Sequence, residues 1–395
     1  MPLLSLGHSC VDVYQGAVAA LVPFFVAERA YTYAAASGIV LAASLLSSVV
    51  QPLFGAVTDR WALPWLLPVS TLLGGAGVAC AGVCGSYPLT LGAVALSGIG
   101  IAAYHPEAAR VARAASRGSH TAMGWFSLGG NLGFAAAPLL VSAVVATGGL
   151  GASPLLVVPA ALGAAASTAA LRRRKAEGGG PAAGAGARPG AGAGVRTPGP
   201  EAGPGPDGAG GVRGRDDWAS FLRLSGAIAC RSVVFVGLST FVSLYARHRA
   251  GGGAAAGTAA LFVLYLGGAV GTVAGGRLAS RFGRLPVVRW SYALTVLAVA
   301  GVVLVPGPAL YGCVALTSAG LYVPFSLHIT LGQDYLPSRV GTASGVTLGL
   351  AVTVGGIASP LIGALADAAS LQAALAPLIV LPAVGWLLLR PLREP

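Results

Sequence analysis

The chain has 395 residues, 55% of them apolar and only 9% charged, with a formal net charge of +12 and a mean hydropathy of +0.78. A water-soluble domain carries about 25% charged residues, so this chain cannot clothe a water-facing surface, and a soluble enzyme or nucleic-acid-binding body is excluded. The bilayer is the solvent that the composition fits.

The charges are spaced as membrane spans require. A spanning helix needs about 20 apolar residues. Residues 3–27 form the first predicted span, with Asp12 inside it. The 29 uncharged residues between Arg29 and Asp59 hold one span, the 46 between Arg60 and Glu107 hold two, and the 54 between Arg117 and Arg172 hold two more. The plan then repeats. Residues 222–246 form one span, with Arg231 inside it, and the interval Arg249–Arg277 forms another. The 44 uncharged residues between Arg289 and Asp334 hold two, and the intervals Arg339–Asp367 and Asp367–Arg390 hold one each. This predicts an all-α polytopic membrane protein with twelve transmembrane helices in two six-helix halves, residues 1–175 and 218–395. Between them, residues 176–217 are dense in Gly, Ala and Pro and read as a disordered cytoplasmic linker.

With the N-terminus inside, 20 Lys and Arg residues fall on the cytoplasmic side and three (Arg29, Arg247, Arg249) on the other. Loop basicity sets orientation, so both termini are expected in the cytoplasm of a multi-pass plasma-membrane protein. The net positive charge is then a topology signal, and no nucleic-acid partner is expected. The first apolar stretch has no basic leader and carries Asp12, so it reads as a span and not as a cleavable signal. The five cysteines (Cys10, Cys80, Cys84, Cys230, Cys313) all fall in predicted spans and read as small buried hydrophobes, with no metal site expected.

The halves carry a faint repeat. Gly55-Ala-Val-Thr-Asp59-Arg60 follows span two, and Gly276-Arg-Leu-Ala-Ser280-Arg281 follows span eight, at an offset of 221; Pro138 and Pro360 repeat at 222. Two matches at nearly one offset imply halves related by pseudo-two-fold symmetry. Spans five and eleven are glycine-rich (Gly129, Gly130, Gly133; Gly345, Gly349, Gly355, Gly356). Such residues serve tight helix packing or a hinge that lets the halves rock.

Ionisable residues inside spans are expensive and mark function. His8 and Asp12 are four apart, hence on one helix face, with Gln15 on the same side. A carboxylate facing a cavity can titrate as the cavity opens alternately to each side, which makes Asp12 the leading proton carrier and His8 its partner; the alternative is that the pair simply lies near the inner headgroups, because span one starts at once. Glu107, one turn from Arg110 and close to His105, reads either as a second proton-coupling cluster or as an ion pair fixing the helix end. Arg231 is permanently charged and suits an anion contact, or it snorkels to the inner surface. His328 reads as a hydrogen-bonded structural residue. Asp334 and Arg339 read as caps of the inner end of span ten. Tyr14, Trp125, Phe126, Tyr245, Tyr265, Tyr322 and Phe325 are candidates to line a central cavity.

The motif Gly55-x-x-x-Asp59-Arg60 resembles the loop 2–3 signature of the major facilitator superfamily, and Gly276 to Arg284 resembles its second copy, with Ser280 where the pattern prefers Asp. The resemblance implies a charge-mediated latch at Gly55, Asp59, Arg60, Gly276, Arg281 and Arg284. A closer resemblance is to the fosmidomycin-resistance family of drug efflux transporters. It is carried by His8-x-x-x-Asp12-x-x-Gln15, Ser47-Ser48-x-x-Gln51-Pro52, Trp65-x-Leu-Pro68 and His105-Pro106-Glu107-x-x-Arg110-Val-Ala-Arg113. It continues through Gly129-Gly130-Asn131-x-Gly133, Pro138, Gln333-Asp334-x-Leu336-Pro337 and Val340-Gly341-x-x-Ser344-Gly345.

The resemblance implies a proton-coupled exporter of small toxic or antibiotic compounds, fosmidomycin-like phosphonates among them, working by alternating access. Gln15, Arg110, Asn131, Arg231, Tyr14, Trp125 and Tyr322 are the candidate cargo contacts. An uptake symporter of the same fold and a non-transporting membrane sensor are the alternatives. The expected partners are the lipid bilayer, protons and a small-molecule cargo, the expected state is a monomer, and no cofactor or enzymatic chemistry is expected.

Overall fold

The computed structural model describes residues 1–117, 119–176 and 216–395, the side chains of Asp59, His120 and Thr121 apart; the predicted linker lies almost wholly outside the described residues. Among the described residues every regular element is helical. The first half comprises α1 (Pro2–Arg29), α2 (Tyr33–Arg60), α3 (Leu66–Ala81), α4 (Tyr87–Ser116), α5 (His120–Gly148) and α6 (Val157–Ala176), the last entered through a 3-10 segment, Gly149–Leu156. The second half comprises α7 (Trp218–Arg249), α8 (Gly253–Phe282), α9 (Arg284–Leu304), a tenth span in two pieces, α10 (Ala309–Tyr322) and α11 (Phe325–Tyr335), and then α12 (Val340–Ala368). A last span is assembled from α13 (Leu371–Leu375), a 3-10 turn and α14 (Val380–Leu389). Twelve spans in two six-helix halves result.

Local chemistry sets the ends. The side chains of Thr32, Ser119, Asp217 and Ser370 accept backbone N–H groups at the starts of α2, α5, α7 and α13. Pro23, Pro52, Pro106, Pro138 and Pro360 lie inside helices, where surrounding helices can compensate the lost donor. The tenth span breaks at Val323–Pro324, and the freed Leu321 carbonyl one turn earlier accepts the Arg231 Nε–H at 2.6 Å. The Gly55–Arg60 and Gly276–Phe282 signatures, expected as loops, form the last turns of α2 and α8: α2 and α8 continue because nothing in either motif stops a helix before its end.

Glycine lets the helices approach closely. A side chain at Gly133 would collide with the backbone carbonyl of Ser9, and one at Gly129 with that of Ser5, so α5 lies directly on α1. Gly355 meets the Ser232 carbonyl of α7 in the same way. Packing therefore accounts for the glycines of span five. In span eleven it accounts for Gly355 but not for Gly345 or Gly349, which have open space around them.

The two halves meet on the side away from the termini. There Gly363 of α12 packs on Tyr33 and Ser37 of α2, and Gly356 on Ser44. Phe134 of α5 packs at a tilt against Tyr265 of α8, with ring centroids 4.2 Å apart, and the Arg247 guanidinium lies over Phe24 of α1 at 5.1 Å. On the termini side the same helices diverge. Val49 and Leu53 of α2 are 55% and 63% exposed, and Val340 and Leu348 of α12 are each 45% exposed. The cleft between the halves thus opens toward the termini and is closed at the far end.

Candidate functional site

The apex of that cleft is lined by Gln15 and Val18 of α1, Ser44 and Ser47 of α2, Phe134 of α5, and Phe235, Ser239 and Tyr265 of the second half. No charged side chain lines it among the described residues; its polarity comes from hydroxyls and one amide. The tilted Phe134–Tyr265 ring pair joins the two halves at this level.

On the first half, Asp12 gathers two imidazoles. His8 sits one helical turn before it on α1, with Nε2 3.3 Å from Oδ2. His105 reaches across from α4 and places its Nε2 3.1 Å from Oδ1. Both rings are held from behind. The His8 Nδ1–H donates to the Phe126 carbonyl of α5 at 2.9 Å, and the His105 Nδ1–H to the Ile101 carbonyl at 2.8 Å. A carbonyl can only accept, so each Nδ1 carries hydrogen. A neutral ring then turns a bare Nε2 lone pair toward a carboxylate oxygen, which is repulsive. Each Nε2–oxygen contact is satisfied only when a proton lies in it, so the geometry has room for two protons beyond the neutral-ring, ionised-carboxylate state.

The donor atoms lie within 4.8 Å of one another. One imidazole faces each carboxylate oxygen: His105 Nε2 is at hydrogen-bond distance of Oδ1, and His8 Nε2 lies 3.3 Å from Oδ2. Phe126 stacks on His8 at 4.2 Å and completes the enclosure. His105 is the most accessible member, with 26% of its side chain exposed against 12% for His8 and 13% for Asp12.

On the second half, Arg231 is 4% exposed, with its guanidinium 5.3 Å over the Phe325 ring. Among the described residues no carboxylate pairs with it; it lines a small cavity with Tyr292, Thr295 and Pro382. Tyr322 packs edge-on to the apex residue Phe235 at 5.5 Å, and its buried hydroxyl has no hydrogen-bond partner among the described residues.

The chain matches the family model of the Major Facilitator Superfamily over residues 4–360. The chain belongs to this superfamily. It is a multi-pass membrane transporter and not an enzyme. It is 29% identical over 392 residues to the fosmidomycin resistance protein of Escherichia coli strain K12, covering 97% of this chain and 90% of that protein. It is 28% identical over 387 residues to the uncharacterized transporter YfnC of Bacillus subtilis strain 168, covering 98% and 90%. Among solved structures it resembles a bacterial homologue of the human lysosomal transporter Spinster in an inward-facing, occupied conformation (TM-score 0.76, 14% identity, 98% of this chain and 95% of that one). It also resembles the nucleoside transporter NupG (TM-score 0.75, 12% identity, 98% of both chains).

Within this superfamily member the expected site residues separate. His8, Asp12 and His105 come together. Glu107, expected beside them, is fully buried but bound to Arg110, whose Nε–H donates to Oε2 at 2.8 Å. The three-residue spacing puts both on one face, and Arg110 is engaged by this intrahelical pair and does not line the cleft apex. Gln15 lines the apex. Asn131 is half-buried on α5 and is not among the apex side chains.

Tyr14 corrects the aromatic expectation: it is fully buried and donates to the Leu156 carbonyl at 2.7 Å, inside the first half. Trp125 is 62% exposed in a lateral groove between α1 and α5 and not in the central cleft. Arg231 does not snorkel, because the broken tenth span offers it a carbonyl at depth. Asp334 does not cap its own span but accepts Arg284 at 2.5 Å, and Arg339 lies 3.7 Å from Asp216. Cys80, expected buried, is exposed. Arg60 and Arg281 lie over the neighbouring rings of Trp61 and Phe282. With Arg284 on Asp334, the contacts of these latch arginines among the described residues lie within their own halves; the Asp59 side chain lies outside those residues.

Of the aromatic candidates, Tyr265 lines the apex and Phe126 stacks on His8, whereas the apex serines Ser44 and Ser239 had no distinguishing local signal. His328 meets the Tyr292 hydroxyl at 3.4 Å, in keeping with a structural histidine.

Proposed function

We propose that this transporter is a proton-coupled exporter of small amphiphilic anionic compounds, with phosphonate antibiotics as the cargo class. The observation that carries it is the Asp12 carboxylate bridged by His8 and His105, each ring oriented by a backbone carbonyl. Protons enter the cluster when the cleft opens to the outside and leave through the exposed edge of His105 when it opens to the cytoplasm. Cargo entering from the cytoplasm favours proton release, and its own exit resets the site. The inward proton gradient thereby drives outward cargo movement, as alternating access requires.

The apex accepts the apolar part of the cargo, and Arg231 with the unpartnered Tyr322 hydroxyl attracts its anionic end. Likeness to the Escherichia coli fosmidomycin resistance protein supports the export direction. In this reading both termini are cytoplasmic and the membrane is the plasma membrane, the protein acts as a monomer, and residues 176–217 tether halves 1–175 and 218–395 as they rock.

Inverted membrane vesicles test it. Adding fosmidomycin should dissipate an imposed proton gradient with the native protein and not with Asp12→Asn. An Asp12→Asn protein that still couples the two fluxes refutes the carrier assignment. Unchanged drug tolerance of a sensitive host, with faster cargo accumulation, refutes export.

A further inference from the structure

We propose that the first half binds an anionic phospholipid at its termini face, with the phosphate in a basic pocket and an acyl chain in the adjoining groove. The pocket is a cavity of about 340 Å³ where the ends of α4 and α6 meet the start of α1. Arg117, Arg173 and Arg174 line it, and among the described residues no acidic side chain does. Arg174 is anchored by its Nη1–H to the Val111 carbonyl at 3.3 Å. Arg117 ends α4 in a left-handed conformation, φ 49°, a region that favours glycine or asparagine over arginine.

Among the described residues no carboxylate pairs with these three guanidiniums, which repel one another, and a phosphate relieves that repulsion through paired N–H donors. Leu3, Leu4, Ala114 and Ala170 form the rest of the wall, so the pocket is amphipathic.

A second observation selects a lipid over a free anion. Met1 and Pro2 line this pocket and also a groove of about 670 Å³ between α1 and α5. The groove is lined by Leu6, Trp125, Leu128 and Leu132 and, among the described residues, by no charged side chain; Leu6 and Trp125 are 50% and 62% exposed. α4 and α6 cross the membrane and end at this pocket, which puts the arginines at headgroup depth, while the groove beside α1 and α5 runs back into the hydrocarbon. Basic pockets between spans on the cytoplasmic side select anionic headgroups.

The test is lipid retention by the purified full-length protein, read by mass spectrometry, with phosphatidylglycerol and phosphatidylcholine of identical acyl chains. The native protein should retain phosphatidylglycerol selectively. The triple variant Arg117→Gln/Arg173→Gln/Arg174→Gln should lose it roughly a hundredfold, at about fivefold for each basic side chain near the anionic surface. Removing equal charge elsewhere on the same face, with Arg60→Gln/Arg277→Gln/Arg281→Gln, should leave retention intact. Trp125→Ala should weaken phosphatidylglycerol binding through the groove alone.

Equal retention of the two lipids by the native protein overturns the proposal, even if the triple variant fails to fold. Retention by a folded triple variant overturns it too. Inorganic phosphate that protects the protein from heat as well as phosphatidylglycerol does, with Trp125→Ala without effect, reduces the site to a simple anion pocket and refutes the lipid.

Discussion

Asp367, at the last turn of α12, accepts the backbone N–H groups of Tyr33 and Ala34, at the first turn of α2, at 2.8 and 2.9 Å. One carboxylate thus caps a helix that belongs to the other half of the molecule, and it does so on the closed side of the cleft. A helix N-terminus has unpaired donors and a partial positive charge, so this contact is favourable whenever the far side is shut and absent whenever it is open.

Asp367→Ala should therefore shift the population toward the form open on the far side. The interaction is exposed, so about 1 kcal/mol is a fair magnitude, or roughly a fivefold change in the ratio of the two forms. Spin-label distances between the far ends of α2 and α12 would report it. Distributions identical to those of the native protein would show that Asp367 does not hold the closure.

The glycines of α5 and α12 should differ sharply in their tolerance of a methyl group. Gly133→Ala drives a Cβ into the Ser9 carbonyl and should destabilise the first half by about 1–3 kcal/mol or more, since backbone cannot yield as a side chain can. Gly349→Ala meets open space and should be neutral, or stabilising by about 0.5–1 kcal/mol through helix propensity. Thermal unfolding in detergent distinguishes the two. Equal losses would contradict this packing.

Arg231→Lys should discriminate between cargoes. Lysine keeps the charge but loses the planar fork and the Nε–H bond to Leu321. Affinity for phosphonate cargo should fall by roughly tenfold to a hundredfold, about one lost charge-assisted hydrogen bond, while binding of a neutral cargo of similar shape changes little. Equilibrium binding to the purified protein measures both. A parallel fall for the two cargoes would assign Arg231 to the fold alone.

The start of α7 should loosen in acid. The Ser338 hydroxyl and N–H hold the Asp216 carboxyl below the usual carboxylate range. A depressed value means that the contact is fully present above the ordinary carboxylate pKa and is lost as pH falls through the lowered one. Amide exchange at Ser338 should rise over that acid window, and Asp216→Asn should remove the pH dependence. A flat profile in the native protein would argue against the tether.

Some of the site was legible along the chain and some was not. His8 and Asp12 share a face because they are four residues apart on one helix, and the same spacing logic pairs Glu107 with Arg110. His105 joins Asp12 across 93 residues, and nothing local distinguishes that partner from Glu107. Asp367 was legible only as a charge that ends a span, because its partners are backbone amides, which carry no side-chain signature.

Apolar run length determines the number and order of spans, because hydrocarbon excludes charge wherever it lies along the chain. Helical spacing likewise determines which residues share a face within one span. The packing of spans against one another decided the rest: that Asp12 is bridged by His105 rather than Glu107, that Arg231 finds a carbonyl at depth, and that the cleft opens toward the termini. Those outcomes depend on backbone atoms and on small-residue contacts between helices far apart in the chain, and such contacts arise only when the helices are brought together.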